Sequence, residues 1–173
     1  KKVTKKIAKK TSKKAAVKKT TESTAKPVSK AELQHLRRQP LGHLLVEQVL
    51  RAKGFRGGVS SDKEMLKKYS TDESIFCIKP QIVIQPANTK DVEIAVTVLG
   101  KETERFPALS LTPRAAGTGL SGGSLTDSIM IDVSAHLTHI GDIKTTKHGS
   151  TIKVEPGAMW RDVEKKLKKE NLY

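Results

Sequence analysis

Residues 112–125 read TPRAAGTGLSGGSL, and no other stretch limits the possible folds as much. It holds four glycines, two serines and two threonines beside a single arginine. It lies between two runs of strand character, Ala108–Thr112 (ALSLT) and Ile129–Ser134 (IMIDVS). A strand-to-strand connection this long, this small in its side chains and this poor in charge is an odd plain linker.

Three readings of the loop compete. Gly117-Thr118-Gly119-Leu120-Ser121-Gly122 satisfies G-x-G-x-x-G after a strand, as a dinucleotide-binding turn requires. Such a turn opens directly into a helix whose N-terminus receives the pyrophosphate. Here Gly123, Ser124, Thr126 and Asp127 lead into β-rich IMIDV, leaving no room for a helix. Gly117–Ser124 also approaches G-x-x-x-x-G-K-[ST], but Gly123 stands where that motif needs its lysine. The third reading needs no helix: consecutive N–H groups of a glycine-rich turn form an anion nest. Glycines permit φ > 0 and close approach of the backbone. Thr118 and Ser121 add hydroxyl donors, and Arg114 adds a positive charge at the end of the strand. A pyrophosphate suits such a loop.

Elsewhere the chain reads as α+β. Ser29-Lys30-Ala31-Glu32 has the form of a capping box, with Pro40 interrupting the helix it starts. A second helix is expected with Leu41, Leu44, Leu45 and Val49 on one face and Gly54 as its stop. Gly57-Gly58 reads as a turn, and Ser61-Asp62-Lys63-Glu64 as the start of a short helix ending near Tyr69. Gln81–Gln85 (QIVIQ) is a strand between two prolines. Asn88 or Thr89 then caps a helix with Val92, Ala95, Val96 and Leu99 inward. After the IMIDVS strand, 136–146 and 150–155 form a hairpin, and Pro156-Gly157 opens a last helix through Lys169 with Met159, Val163 and Leu167 inward. The expected layout is a Lys-rich tail over 1–30, a helical leader over 31–72 and the first part of a ligand-binding domain over 73–173.

Charge separates these parts. The net charge is +15, and residues 1–30 alone hold 12 Lys against one Glu. Lysine doublets repeat at a spacing that would stack like charges along a helix, so the tail is expected to be disordered in isolation. It suits a nucleic acid or another polyanion, although no aromatics are interleaved to stack on bases. A solubilising tail and an organellar targeting peptide are the alternatives, the latter weakened by the absence of Arg. One cysteine, Cys77, excludes an internal disulfide framework. No apolar run reaches membrane-span length, and the expected compartment is cytoplasmic. His35 and His43 have no partner at metal-ligand spacing, and no metal site is expected. The absence of an initiator Met and the abrupt end at NLY suggest a fragment.

TPRAAGTGLSGGSL resembles the pyrophosphate-binding loop of the FAD-linked oxidases related to vanillyl-alcohol oxidase and p-cresol methylhydroxylase (the PCMH type). Within them it is most similar to glycolate oxidase flavoprotein subunits and D-lactate dehydrogenases. Four landmarks fall in the family's order around the loop: Tyr69-Ser70-Thr71-Asp72-Glu73-Ser74; Pro80–Pro86 with the helix start after it; Ile131-Asp132-Val133-Ser134; and Val154-Glu155-Pro156-Gly157 with Trp160-Arg161-Asp162-Val163. The resemblance implies the N-terminal half of a PCMH-type FAD-binding domain, a small mixed β-sheet flanked by helices. It implies that the backbone of Ala115, Ala116, Gly117, Thr118 and Gly119 cradles the FAD pyrophosphate. Leu120, Ser121, Gly122 and Gly123 would continue that wall, and Pro156 and Gly157 would lie near the flavin.

The resemblance further implies an oxidoreductase that takes a hydride from a 2-hydroxy acid of the glycolate or D-lactate type. Electrons would then pass to an acceptor, a quinone or an iron–sulfur partner. No histidine lies between Thr112 and Leu125, so FAD is expected to be non-covalent. Many relatives carry Gly where this chain has Ala115, which matters only if that position needs φ > 0. The catalytic base and the substrate-binding arginine of the family are expected beyond Tyr173, and no catalytic residue is assigned.

Overall fold

A computed structural model describes residues 42–103 and 108–172. The Lys-rich tail and the Ser29–Glu32 capping box lie outside the described residues.

Helix α1 (His43–Ala52) ends where Gly54 predicts. Gly54 has φ +88°, its N–H donates to the Arg51 carbonyl at 2.9 Å, and the Phe55 N–H reaches back to the Leu50 carbonyl at 3.1 Å. These two bonds form a Schellman motif, and buried Leu50 and Phe55 supply its apolar contact. The buried face of α1 is not the expected one. Val46 and Leu50 face the core, whereas Leu44 is 71% exposed and Leu45 also faces solvent. A run of leucines allows more than one apolar stripe, and the fixed exit at Gly54–Phe55 selects the stripe containing Leu50.

Strand β1 (Gly58–Ser60) occupies part of the expected Gly57-Gly58 turn. Helix α2 (Lys63–Lys68) follows, capped by Asp62, whose carboxylate accepts from the Glu64 and Met65 N–H groups. Strand β2 (Ile82–Gln85) leads to α3 (Thr89–Glu102), whose N-cap Asn88 accepts from the Asp91 N–H. Ala95 and Leu99 of α3 are buried as expected, while Val96 is exposed.

Strand β3 (Leu111–Arg114) begins and ends later than expected and includes Pro113. β3 is the edge of its sheet, where a residue without an N–H costs no ladder bond. Strand β4 (Ile129–Asp132), strand β5 (Ile140–Thr146), strand β6 (Gly149–Val154) and helix α4 (Trp160–Lys169) complete the chain. Helix α4 starts after Pro156-Gly157 because those residues form a turn, with the Ala158 N–H donating to the Glu155 carbonyl. Val163 of α4 is buried, and Met159 is not.

The main sheet has the order β1-β2-β4-β3. β1 runs antiparallel to β2, while β2, β4 and β3 run parallel. This is a small mixed sheet flanked by helices, as expected. Side chains alternate across it. Ile82, Ile84, Ile129 and Ile131 join Val46 and Leu50 of α1 and Ala95 and Leu99 of α3 in one core. Val83 and Met130 face the other way, toward Leu66 and Tyr69. Within the 31–72 segment expected as a helical leader, the described residues 42–72 contribute a strand to the sheet and side chains to both of its faces. β5 and β6 form a separate antiparallel pair.

One buried carboxylate ties this body together. Asp91, in the first turn of α3, accepts from the N–H groups of Arg56, Gly57 and Ala87 at 2.8–3.2 Å. Gly57 has no room for a Cβ, which would meet the Gln85 carbonyl and Pro86.

Candidate functional site

The three parallel strands end together at Gln85, Asp132 and Arg114. In open sheets with parallel strands, ligands bind outside the carboxyl ends of those strands. Parallel neighbours also need a long return connection, usually a helix. Between β3 and β4 that return is made by residues 115–128, which contain no helix and no strand. The glycine-rich loop therefore starts at the carboxyl end of the sheet, and the connection finishes at its amino end, where Thr126 and Ser128 meet Ser110.

Its backbone conformation is specific. Gly117 and Gly122 have φ of +74° and +73°. Ala115 does not have positive φ, so alanine there carries no strain. The Gly117 carbonyl accepts from the Glu73 N–H at 3.2 Å, and the Gly122 carbonyl from the Leu125 N–H at 3.0 Å. The N–H groups of 115–124 donate to no group among the described residues. The loop thus spends carbonyls on the protein and keeps a run of donors unspent.

The segment 69–76 braces it. Ser124 Oγ donates to Asp72 Oδ2 at 2.9 Å, and the Ser74 N–H donates to Asp72 Oδ1 at 2.9 Å. Hydrogen bonding from Ser74 leads the causes that hold the Asp72 carboxyl below the usual carboxylate range, with Ser124 and the Arg114 charge adding to it. Gly122 sits against the Phe76 ring, where a Cβ would come within 2.7 Å of the ring edge.

Beneath the loop lies a buried polar network. Asp132 Oδ2 accepts from Tyr69 OH at 2.6 Å and from Gln85 Nε2 at 2.8 Å. Its Oδ1 accepts from the Ser134 N–H at 2.9 Å and from Ser134 Oγ at 2.6 Å. Burial pushes the Asp132 carboxyl up, but bonds from Gln85, Ser134 and Tyr69 outweigh it and leave the group below its ordinary value. Burial, then the Asp132 carboxylate, pushes the Tyr69 phenol up to about 12.

The expected site residues divide by position. Arg114 is half-buried at the end of β3, donates to the Thr71 carbonyl at 2.7 Å and leaves no room for a Cβ on Gly117. Ala115, Ala116, Thr118, Gly119, Ser121 and Gly123 are exposed, and Leu120 is 79% exposed. Gly119 is open, with no heavy atom within 4 Å of the position its Cβ would take. Pro156 is exposed and Gly157 is buried. The Gly157 N–H donates to the Leu137 carbonyl at 2.8 Å, and a Cβ there would strike the Val133 and Leu137 carbonyls. The Val133 N–H in turn donates to the Arg114 carbonyl at 3.0 Å. The turn and the start of the loop therefore flank the chain leaving β4. Tyr69, Asp72, Gln85 and Asp132 were not singled out as site residues. Their signal was present, because each lies in a family landmark and Asp132 is a lone carboxylate in a strand of buried residues. Among the described residues no cluster of His, Cys, Asp and Glu could hold a metal, and no helix is long and apolar enough to cross a membrane.

A family model described as "FAD binding domain" matches residues 80–173. The chain belongs to the FAD-binding domain family. It is 35% identical over 126 residues to D-2-hydroxyglutarate dehydrogenase of Pseudomonas putida, covering 73% of this chain and 12% of that protein. It is 31% identical over 121 residues to the enzyme of the same name from Escherichia coli K12, covering 70% of this chain and 12% of that one. The chain thus spans about an eighth of the length of these relatives. Among solved structures it is similar to alkyldihydroxyacetonephosphate synthase, with TM-score 0.60, 17% identity, and coverage of 77% of this chain and 26% of that one. It is also similar to a chitooligosaccharide oxidase, with TM-score 0.53, 17% identity, and coverage of 72% and 25%. These structural likenesses establish the fold. The family match and the relatives bear out the PCMH-type resemblance, and FAD is the cofactor of the family. The residues present fit it: unspent N–H donors, two glycines in left-handed conformation and a cation at the base of the loop match a diphosphate.

Proposed function

We propose that this chain forms the pyrophosphate-binding wall of the FAD site in a flavoprotein oxidoreductase acting on a 2-hydroxy acid. The run of unspent N–H groups from Ala115 to Ser124 carries this reading. Ala115, Ala116, Gly117, Thr118 and Gly119 would donate to the diphosphate, with Leu120, Ser121, Gly122 and Gly123 continuing the wall and Arg114 supplying positive charge beneath. Pro156 and Gly157 would border the flavin. Bound FAD supplies the two-electron acceptor, and the protein contributes orientation and electrostatics. FAD is held without a covalent bond, since no histidine lies in the loop.

The names of the relatives favour D-2-hydroxyglutarate over the smaller glycolate and D-lactate as substrate. Residues that touch the substrate, and a docking site for a quinone or iron–sulfur acceptor, belong to other parts of the protein. A second reading rests on the 12 lysines of residues 1–30: they bind nucleic acid or another polyanion. That binding would weaken steeply with salt and disappear when the segment is removed, without affecting FAD.

The test of the main reading uses Gly119, whose conformation and surroundings tolerate a side chain. In the intact protein, Gly119→Val should weaken FAD binding by about tenfold or more, because close backbone approach is lost, while the unfolding midpoint of the apoprotein stays unchanged. Unaltered FAD affinity in Gly119→Val, and in Arg114→Lys beside it, would reject the loop as the pyrophosphate site.

A further inference from the structure

Arg114 is the one cation of the glycine-rich loop, and its surroundings are unusual for an arginine. Its guanidinium lies 5.4 Å from the centroid of the Tyr69 ring, donates to the Thr71 carbonyl at 2.7 Å and packs against Gly117. Among the described residues no carboxylate lies within ion-pair distance of it, and the carboxylate that its charge reaches, Asp72, is engaged by Ser74 and Ser124. A carboxylate is nonetheless close in the fold, since Arg114 and Asp132 are register partners on adjacent strands. They do not pair because the Tyr69 phenol, donating to Asp132 at 2.6 Å, takes up that carboxylate together with Gln85 and Ser134. Neutral donors satisfy the anion, and an aromatic face supports the cation.

We infer that Tyr69, braced by Asp132, is a positioning residue that keeps the Arg114 guanidinium out of an ion pair with Asp132 and beneath Gly117, where it serves phosphate binding. Register alone would allow an Arg114–Asp132 ion pair, and such a pair would offset the positive field that the loop presents. The ring prevents that pairing and keeps the guanidinium beside Gly117. This inference rests on the reading of the loop as the pyrophosphate site.

The experiment titrates the intact apoprotein with FAD by flavin fluorescence and records the unfolding midpoint of every variant. Tyr69→Met should weaken FAD by about tenfold, and Tyr69→Phe, which keeps the ring, by no more than about threefold. Arg114→Lys should weaken FAD alone, and adding Tyr69→Met to it should cost little more, because Tyr69 acts through Arg114. Additive losses, or a Tyr69→Met variant with a lowered midpoint and unchanged FAD affinity, would overturn the assignment. If Tyr69→Met does not fold, Asp132→Asn in the same cycle decides: coupling with Arg114→Lys is expected, and additivity rejects it. The two readings fail differently. Gly119→Val and Arg114→Lys both without effect would sink the loop reading, whereas losses in those two with none in Tyr69→Met would sink only the role of Tyr69.

Discussion

The four-stranded sheet and the β5–β6 hairpin use similar residues to opposite ends. Every residue of β4 is buried, and three of the four residues of β2 are. Along β6 only Ile152 is partly covered, and β5 is largely exposed beyond Ile143. The sheet has α1 and α3 on one face and Leu66 and Tyr69 on the other, whereas the hairpin has its own cross-strand pairs and the Lys166 ammonium of α4, which donates to the Gly141 carbonyl and pairs with Asp142. An isolated two-stranded pair is marginal in water. The sheet therefore holds the stability of the described chain, and the glycine-rich loop is attached to that rigid part.

Core truncation tests this contrast most severely. Ile84→Ala should cost about 2–5 kcal/mol and Ile152→Ala less than about 1 kcal/mol, read from urea midpoints, because only the first leaves a cavity. Equal losses would break the comparison. Next in size is Asp91→Ala, which strands the N–H groups of Arg56, Gly57 and Ala87 and should cost about 2–3 kcal/mol by the same measurement.

Two glycines with positive φ sharpen it further. Gly122→Ala meets both the wrong backbone conformation and the Phe76 ring, and should cost about 1–2 kcal/mol. Gly149→Ala, in the hairpin turn with open space around it, meets conformation alone and should cost about 1 kcal/mol or less in thermal unfolding.

The last test concerns single protons in the sheet body. The folded Asp132 carboxyl lies below its ordinary value, so its stabilisation is present above the normal carboxylate range and is lost as pH falls through the folded value. The Tyr69 phenol is raised from 10.0 to about 12, so its contribution is complete below the first value and lost as pH rises through the second. Urea midpoints across pH should show both limbs, and Asp132→Asn should flatten the acid limb. An acid limb unchanged in Asp132→Asn would move the titrating group elsewhere.

Much of this was legible in local sequence. QIVIQ and IMIDV announce strands through β-branched residues, Gly54 marks a helix end, and Asn88 a helix start. The loop could be separated from a nucleotide-binding turn because no helix fits between Gly123 and Ile129. Errors arose where a local signal was ambiguous. The leucines of α1 permitted two faces, and Pro113 reads as a strand breaker unless the strand is an edge.

By itself, then, the sequence determined which segments extend or coil, where glycine must turn the chain, and that a helixless, glycine-rich connection has donors to offer. The tertiary structure alone decided that β4 inserts between β2 and β3, bringing Gln85, Arg114 and Asp132 to one end of the sheet. It alone put the Tyr69 phenol between an arginine and a carboxylate. The reason is range: the Tyr69–Asp132 bond joins residues 63 positions apart. Local propensity and periodicity carry no information about such a pairing until strand order and register fix which side chains share a face.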